Sequence, residues 1–221
     1  MSIINLNRDY HSHSLNYSDG LNTIDEMVRF AGELGLEELA LTDHSQAALD
    51  QHRLVKKNFR KSIDRWKNVH NSVSVRFGVE ADLLNEGGEI CAHIQGLESD
   101  FLVLSAHSDV YRGNRSKVTE GYIRALEQYH QRIVVIGHPC ARYFQEEVQI
   151  EELVDAANFW QVPLEINGAN LLNQRTNLTL LGKMLKLARE VMINSDAHNL
   201  YELREGRQAA LNYLRQQSFL P

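Results

Sequence analysis

The chain has 221 residues, 43% of them hydrophobic, a formal charge of −6 and a sequence pI of about 5.9. Such a chain can bury one sizeable core, and its acidic balance argues against general attraction to nucleic acid or to an anionic membrane. No apolar run approaches the roughly 20 residues a membrane helix needs, and two distant cysteines, Cys91 and Cys140, make no disulfide framework. Without a signal-like N-terminus, a low-complexity tract or a linker, the expectation is a cytoplasmic protein forming a single domain over 1–221.

The first apolar run, Ile3, Ile4 and Leu6, predicts a strand over 3–8 that leads into Asp9-Tyr10-His11-Ser12-His13. A helix is expected over 23–34, where Thr23 and Glu26 form a capping-box pattern and Ile24, Met27, Val28 and Ala31 recur at helical spacing. A second strand over 37–42 ends in Thr42-Asp43-His44. The stretch 53–70 reads as an amphipathic helix with Val55, Phe59, Ile63 and Trp66 on its apolar face. Between Arg53 and Lys67 seven basic residues face only Asp64, a net of +6 in an acidic chain. That face is either a solvated surface anchored by Trp66 or an electrostatic guide for a phosphorylated substrate, an oligonucleotide included. Strands over 73–80, 101–106, 132–137, 162–167 and 191–194 then alternate with helices over 117–130, 149–159, 177–190 and 201–215. The interval 83–99, with Gly87-Gly88, predicts a hairpin insertion. Alternation of this kind implies a parallel sheet. Polar residues at so many strand ends favour closure into a barrel over an open doubly wound sheet.

Those polar residues are the functional signal. His11 and His13 share one face of a strand because side-chain direction alternates. His44, Glu80, His107, His138, Asp196 and His198 follow or end the later apolar runs, and Asp19 lies in Ser18-Asp19-Gly20 shortly after His13. Any one of them has an ordinary explanation as a turn, cap or surface residue. Jointly, imidazoles and carboxylates at so many strand ends point to a polynuclear site for zinc, manganese or iron, and hence to a metallohydrolase. Asp9 is a candidate for orienting a ligating imidazole, and Asp43 for supporting its neighbour. His52, His70 and His130 read as surface residues, His93 belongs to the insertion, and Cys140 is expected to be a small buried residue.

The motifs Ser18-Asp19-Gly20, Ala40-Leu41-Thr42-Asp43-His44-Ser45, Gly78-Val79-Glu80-Ala81-Asp82, Ile136-Gly137-His138-Pro139, Leu164-Glu165-Ile166-Asn167 and Asn194-Ser195-Asp196-Ala197-His198 occur in that order. In this the chain resembles the PHP (polymerase and histidinol phosphatase) family, most of all stand-alone bacterial PHP phosphatases and the PHP domains of bacterial X-family DNA polymerases. The resemblance implies a distorted seven-stranded (β/α) barrel with two or three divalent ions. His11, His13, Glu80 and Asp196 would hold one ion. Glu80, His107 and His138 would hold a second, and Asp19, His44 and His198 a third. Glu80, His107, His138 and Asp196 would carry catalysis, while Arg142, Arg112 and Asn167 are candidates for binding phosphate. Relatives also place histidine at the position of Asp19, and the spacing from His13 is one residue longer here. A carboxylate tilts that position toward manganese.

Three carboxylates, Asp19, Glu80 and Asp196, leave two or three divalent ions with surplus positive charge, which suits a phosphate. The leading expectation is a phosphomonoesterase acting on a small phosphorylated metabolite, with an activated water as nucleophile. The alternatives are a phosphodiesterase or 3′ exonuclease that uses the basic 53–67 segment, and a non-catalytic metal-binding module.

Overall fold

The structure is a computed structural model that describes residues 1–144 and 147–220. Its strands in chain order are β1 (Ser2–Ile3), β2 (Arg8–Asp9), β3 (Glu38–Leu41), β4 (Ser74–Phe77), β5 (Val79–Leu83), β6 (Ile90–Cys91), β7 (His93–Ile94), β8 (Leu97–Glu98), β9 (Leu102–Ser105), β10 (Ile133–Ile136), β11 (Leu164–Asn167) and β12 (Glu190–Asn194). The α-helices are α1 (Ile24–Glu33), α2 (Gln46–Gln51), α3 (Phe59–Arg65), α4 (Val118–Tyr129), α5 (Ile150–Trp160), α6 (Gly168–Leu172), α7 (Leu178–Leu187) and α8 (Leu200–Gln216). A seven-stranded sheet runs β1-β12-β11-β10-β9-β5-β6, parallel except for β6, and a parallel three-stranded sheet runs β2-β3-β4. Two isolated parallel bridges, Ser12 with Ala197 and His44 with Glu80, connect the smaller sheet to β12 on one side and β5 on the other. The fold is mixed α/β with a mostly parallel central sheet.

Side-chain alternation sorts each strand into two faces. Leu39 and Leu41, Leu102 and Leu104, and Val191 and Ile193 join the large core beneath the helices. The intervening Ala40, Val103 and Met192 meet Tyr10 and Val135 in a second, smaller cluster. On β5 and β11 the outer positions are again apolar, with Val79, Ala81, Leu164 and Ile166 in the large core. Their alternate positions are Glu80, Asp82, Glu165 and Asn167, all buried. Polar groups thus occupy the face of the sheet where neighbouring strands place small or apolar residues.

Several expected elements are shorter than the sequence suggests. The first strand is broken into β1 and β2 because Asn5 turns its amide onto β12, accepting from Ile193 N at 2.8 Å and donating to Asn194 Oδ1 at 2.9 Å. The 73–80 run is divided at Gly78, where a Cβ would lie 2.5 Å from the Phe101 carbonyl oxygen. The helix expected over 53–70 is confined to α3. Arg53 stops α2 in the left-handed region at φ 57°, Asn58 caps α3 by accepting from Lys61 N, and Val55 is 95% exposed. The 83–99 interval forms two short antiparallel ladders, β5 with β6 and β7 with β8. Among the described residues no helix is long and apolar enough to cross a membrane.

Arg207 of α8 ties the chain start to β12. Its guanidinium donates to the carbonyls of Leu6, Arg8 and Ile193 and lies 3.4 Å from Asp9 Oδ2, with both residues buried. Removing one member of a buried ion pair leaves the other charge uncompensated, at about 3–5 kcal/mol. Arg207→Ala is therefore expected to lose stability on that scale, read as a lowered urea midpoint at unchanged m-value. A loss under about 1 kcal/mol would show that water replaces the guanidinium.

Candidate metal centre

The nine side chains converge where the strands end. His11 and His13 follow β2, His44 follows β3, Glu80 lies on β5, and His107 and His138 follow β9 and β10. Asp196 and His198 follow β12, and Asp19 sits in the loop after His13. Gly20 lets that loop close, because a Cβ there would fall 2.3 Å from the His13 carbonyl oxygen. Donor atoms within 4.8 Å of one another form three groups: His13, Asp19, His44 and His198; His11, His13 and Asp196; and His44, Glu80 and His107.

Glu80 is the hub. Its Oε1 lies 3.2 Å from His11 Nε2, 3.4 Å from His107 Nε2 and 2.9 Å from His138 Nε2. Its Oε2 lies 2.8 Å from His44 Nδ1 and 3.5 Å from His13 Nε2. Asp196 Oδ1 lies 3.3 Å from His11 Nε2 and 3.1 Å from His13 Nε2. Asp19 Oδ1 is 3.4 Å from His44 Nε2 and 3.2 Å from His198 Nε2. Asp196 and His138 hold positive φ values of 52° and 30°, strained for residues with a side chain.

Two further carboxylates orient imidazoles. Glu165 Oε1 lies 2.9 Å from His11 Nδ1 and also accepts from the Asn194 amide, while Oε2 accepts from the His138 backbone N and the Asn167 amide. Asp82 Oδ1 lies 2.6 Å from His107 Nδ1, and its Oδ2 accepts from Ser45 Oγ at 2.7 Å. Each arrangement leaves the Nε2 of its imidazole facing inward, as a carboxylate–histidine–metal relay requires. The sequence signal for both residues was their alternation with apolar positions inside strands.

Other expected residues sit elsewhere. Asp9 does not touch an imidazole; it accepts from the backbone N of His11 and Ser195 and pairs with Arg207. Asp43 accepts from Ser14 N and Oγ, so it braces the loop that carries Asp19. Asn167 donates to Asp196 Oδ2 at 3.0 Å, within the cluster. Arg142 donates to the Thr176 carbonyl and borders a cavity of about 390 Å³ with Leu171, Tyr213 and Gln216, and Arg112 engages Leu84 only through its backbone N. Among the described contacts neither arginine reaches the nine side chains. The hydroxyl of Tyr143 donates to Asn170 Oδ1 at 3.4 Å, and its ring lies 5.7 Å from that of His138. His93 lies in β7, and the Cys140 thiol is held protonated by burial.

The electrostatics fit cations. Burial lowers the His13 imidazole to about 3, with His198 and His44 adding to the effect, so it is a neutral donor at neutral pH. Burial also opposes the charged form of His107, but Glu80 and Asp82 outweigh it and raise that imidazole to about 9. In His11 the same competition is won by Glu165, Asp196 and Glu80, and in His44 by Glu80 and Asp19. His11 Nε2, His44 Nδ1 and Glu80 Oε2 are buried without a hydrogen-bond partner despite their close spacing. Orphaned donor atoms among crowded carboxylates call for positive charge, which either protons or divalent ions can supply. The residues present fit a polynuclear divalent site.

Two expectations follow from this geometry. Glu165→Gln should weaken metal affinity about 10- to 100-fold, because an amide no longer holds His11 with Nε2 inward. Competition against a chromophoric chelator measures this, and unchanged affinity would remove Glu165 from the site. Metal uptake near pH 7.5 should release protons, since His107 must lose the proton it holds up to about pH 9. Calorimetry in buffers of different ionisation enthalpy reads the release, which should shrink above pH 9.

Comparison with known proteins agrees with the architecture. Residues 9–163 match the PHP domain. The chain is 30% identical over 203 residues to a Shewanella amazonensis protein named "Probable phosphatase", covering 88% of this chain and 78% of that one. It is 28% identical to the Bacillus subtilis "DNA polymerase/3'-5' exonuclease PolX", covering 87% of this chain but only 34% of that protein. The histidinol phosphate phosphatase of Lactococcus lactis, solved with zinc, L-histidinol and phosphate, superposes with a TM-score of 0.52 at 16% identity, covering 95% of this chain and 94% of that one. With the family match spanning well over half its length, the chain belongs to the PHP domain family.

Proposed function

We propose that this PHP-family phosphoric ester hydrolase cleaves small phosphomonoesters at a site of two or three divalent ions. The observation that carries the reading is Glu80, a buried carboxylate whose two oxygens face different imidazoles. Such a carboxylate is suited to being shared between neighbouring ions. His11, His13, Glu80 and Asp196 would hold one ion, Glu80, His107 and His138 another, and Asp19, His44 and His198 a third. The joined donor group of His13 with Asp19, His44 and His198 supports a continuous site. We also propose that the chain is one domain over 1–221 whose two sheets close into a distorted seven-stranded barrel. The two parallel bridges and the meeting of Tyr10 and Ala40 with Val103, Val135 and Met192 support that closure.

When bound, zinc, manganese or iron supplies the charge that polarises a phosphoryl group and makes a water more acidic. The chain's own residues prepare the place for it. Glu165 and Asp82 fix the orientation of His11 and His107, and Asn167 holds Asp196. Arg142, in the loop after His138, is the candidate the resemblance offers for meeting a phosphate at the rim, where a guanidinium would bind it bidentately. The complex of the Lactococcus protein with L-histidinol and phosphate supports a small substrate of this kind.

The manganese- or zinc-loaded protein should hydrolyse p-nitrophenyl phosphate or nucleoside monophosphates, lose activity to a chelator and regain it on metal addition. Glu80→Gln should lower kcat by about 10²–10³ while the circular dichroism spectrum is retained. Reversing Lys57, Arg60 and Lys61 to glutamate should leave monoester kcat/KM within a few-fold, as for lost long-range steering. Efficient 3′ cleavage of oligonucleotides that collapses in the reversal variant would instead establish the exonuclease reading.

A further inference from the structure

β5 lies between β3, joined to it by the His44–Glu80 bridge, and β9, its parallel partner. The segments that leave the ends of β3 and β9 therefore flank the strand that carries Glu80. They are linked twice. The inner link is buried: Asp82 of β5 accepts from Ser45 Oγ at 2.7 Å and lies 2.6 Å from His107 Nδ1. The outer link is a hydrogen bond between His52 Nε2 and Asp109 Oδ2 at 2.7 Å, with side chains 36% and 53% exposed. Helix α2 joins the two links, since its N-cap is Ser45 and its C-cap is His52.

Both ends of the outer link are held by the backbone. Arg53 N donates to the Asp50 carbonyl and Leu54 N to the Leu49 carbonyl, a helix stop that forces Arg53 to φ 57°. An arginine in that region is unfavourable, and glycine is the usual residue. On the other side Val110 N and Tyr111 N both donate to the His107 carbonyl and fix the turn that presents Asp109. The His52 ring stands edge-on to His44 at 6.2 Å. An exposed polar contact of this kind adds little stability by itself, and this one borders the centre on the side where Glu80, His44 and His107 meet.

We infer that the His52–Asp109 pair is a strap that narrows this side of the mouth and favours terminal phosphomonoesters over internal phosphodiesters, an inference that rests on the phosphomonoesterase reading above. A terminal phosphate presents one substituent and can enter with the rest of the molecule pointing away. An internal diester carries a second substituent, which needs room along the rim. His52 and Asp109 are positioning residues: they set the width of the opening and are not placed among the donor atoms.

The test compares kcat/KM for bis(p-nitrophenyl) phosphate and p-nitrophenyl phosphate in metal-loaded wild type, His52→Ala, Asp109→Ala and His52→Gln. Elemental analysis confirms equal metal content. Both alanine variants should raise the diester-to-monoester ratio by about tenfold, the scale on which a pocket discriminates by size. His52→Gln, whose amide still reaches Asp109, should restore a ratio near wild type. Amide exchange over residues 107–114 should quicken in the alanine variants and not in His52→Gln. An unchanged ratio at full metal content overturns the strap, as does an equal rise in His52→Gln. A wild-type enzyme that cleaves no monoester overturns the monoesterase reading, so the two failures appear in different proteins.

Discussion

The constraint on which the rest of the molecule depends is a carboxylate placed where water cannot reach it. Glu80 is 1% exposed, and imidazole nitrogens surround both of its oxygens. Burying an anion is unfavourable unless opposite charge and hydrogen bonds compensate. Compensation here is drawn from the ends of β2, β3, β9 and β10, so those strands must finish around one point. The parallel arrangement, the short turns after each strand and the left-handed backbone at His138 and Asp196 serve that convergence.

Behind the inner ring stands a second layer built from the same sheet face. Glu165 and Asp82 orient imidazoles, Asn194 binds Glu165, and Asn5 binds Asn194. Asp9, paired with Arg207, holds the main chain of His11 and Ser195. The layer is continuous by hydrogen bonds from α8 to the centre. Small displacements at Arg207 would therefore be felt at His11 and Asp196, two residues whose nitrogen and oxygen are 3.3 Å apart.

Much of this was legible in the sequence, and for identifiable reasons. Alternation of apolar runs with helical spacing located most strands and helices within a few residues, because burial of one face dictates the period. Eight of the nine side chains were visible because each interrupts, follows or ends an apolar run, while Asp19 showed only as part of the Ser18-Asp19-Gly20 motif. What stayed hidden depends on partners far away in the chain. Asn5 breaks the first strand by bonding to residues 193 and 194, and Gly78 divides another because Phe101 crowds it. The basic 53–67 segment has helical spacing, yet Arg53 and Asn58 interrupt it before Val55 can find a core.

The left-handed conformations of His138 and Asp196 carry a consequence for the life of the protein in its cell. Each is a stored penalty of about 1–3 kcal/mol, held in a chain whose total stability is of the order of 5–15 kcal/mol. Divalent ions held by the proposed centre would bind only the native state and offset such penalties by mass action. Under metal starvation the same backbone would be a liability, because the fraction of open chains would rise and, with it, exposure to proteases. With such a centre, the abundance of the protein would follow the metal supply, and a shortage would thin the population of molecules as well as idle them.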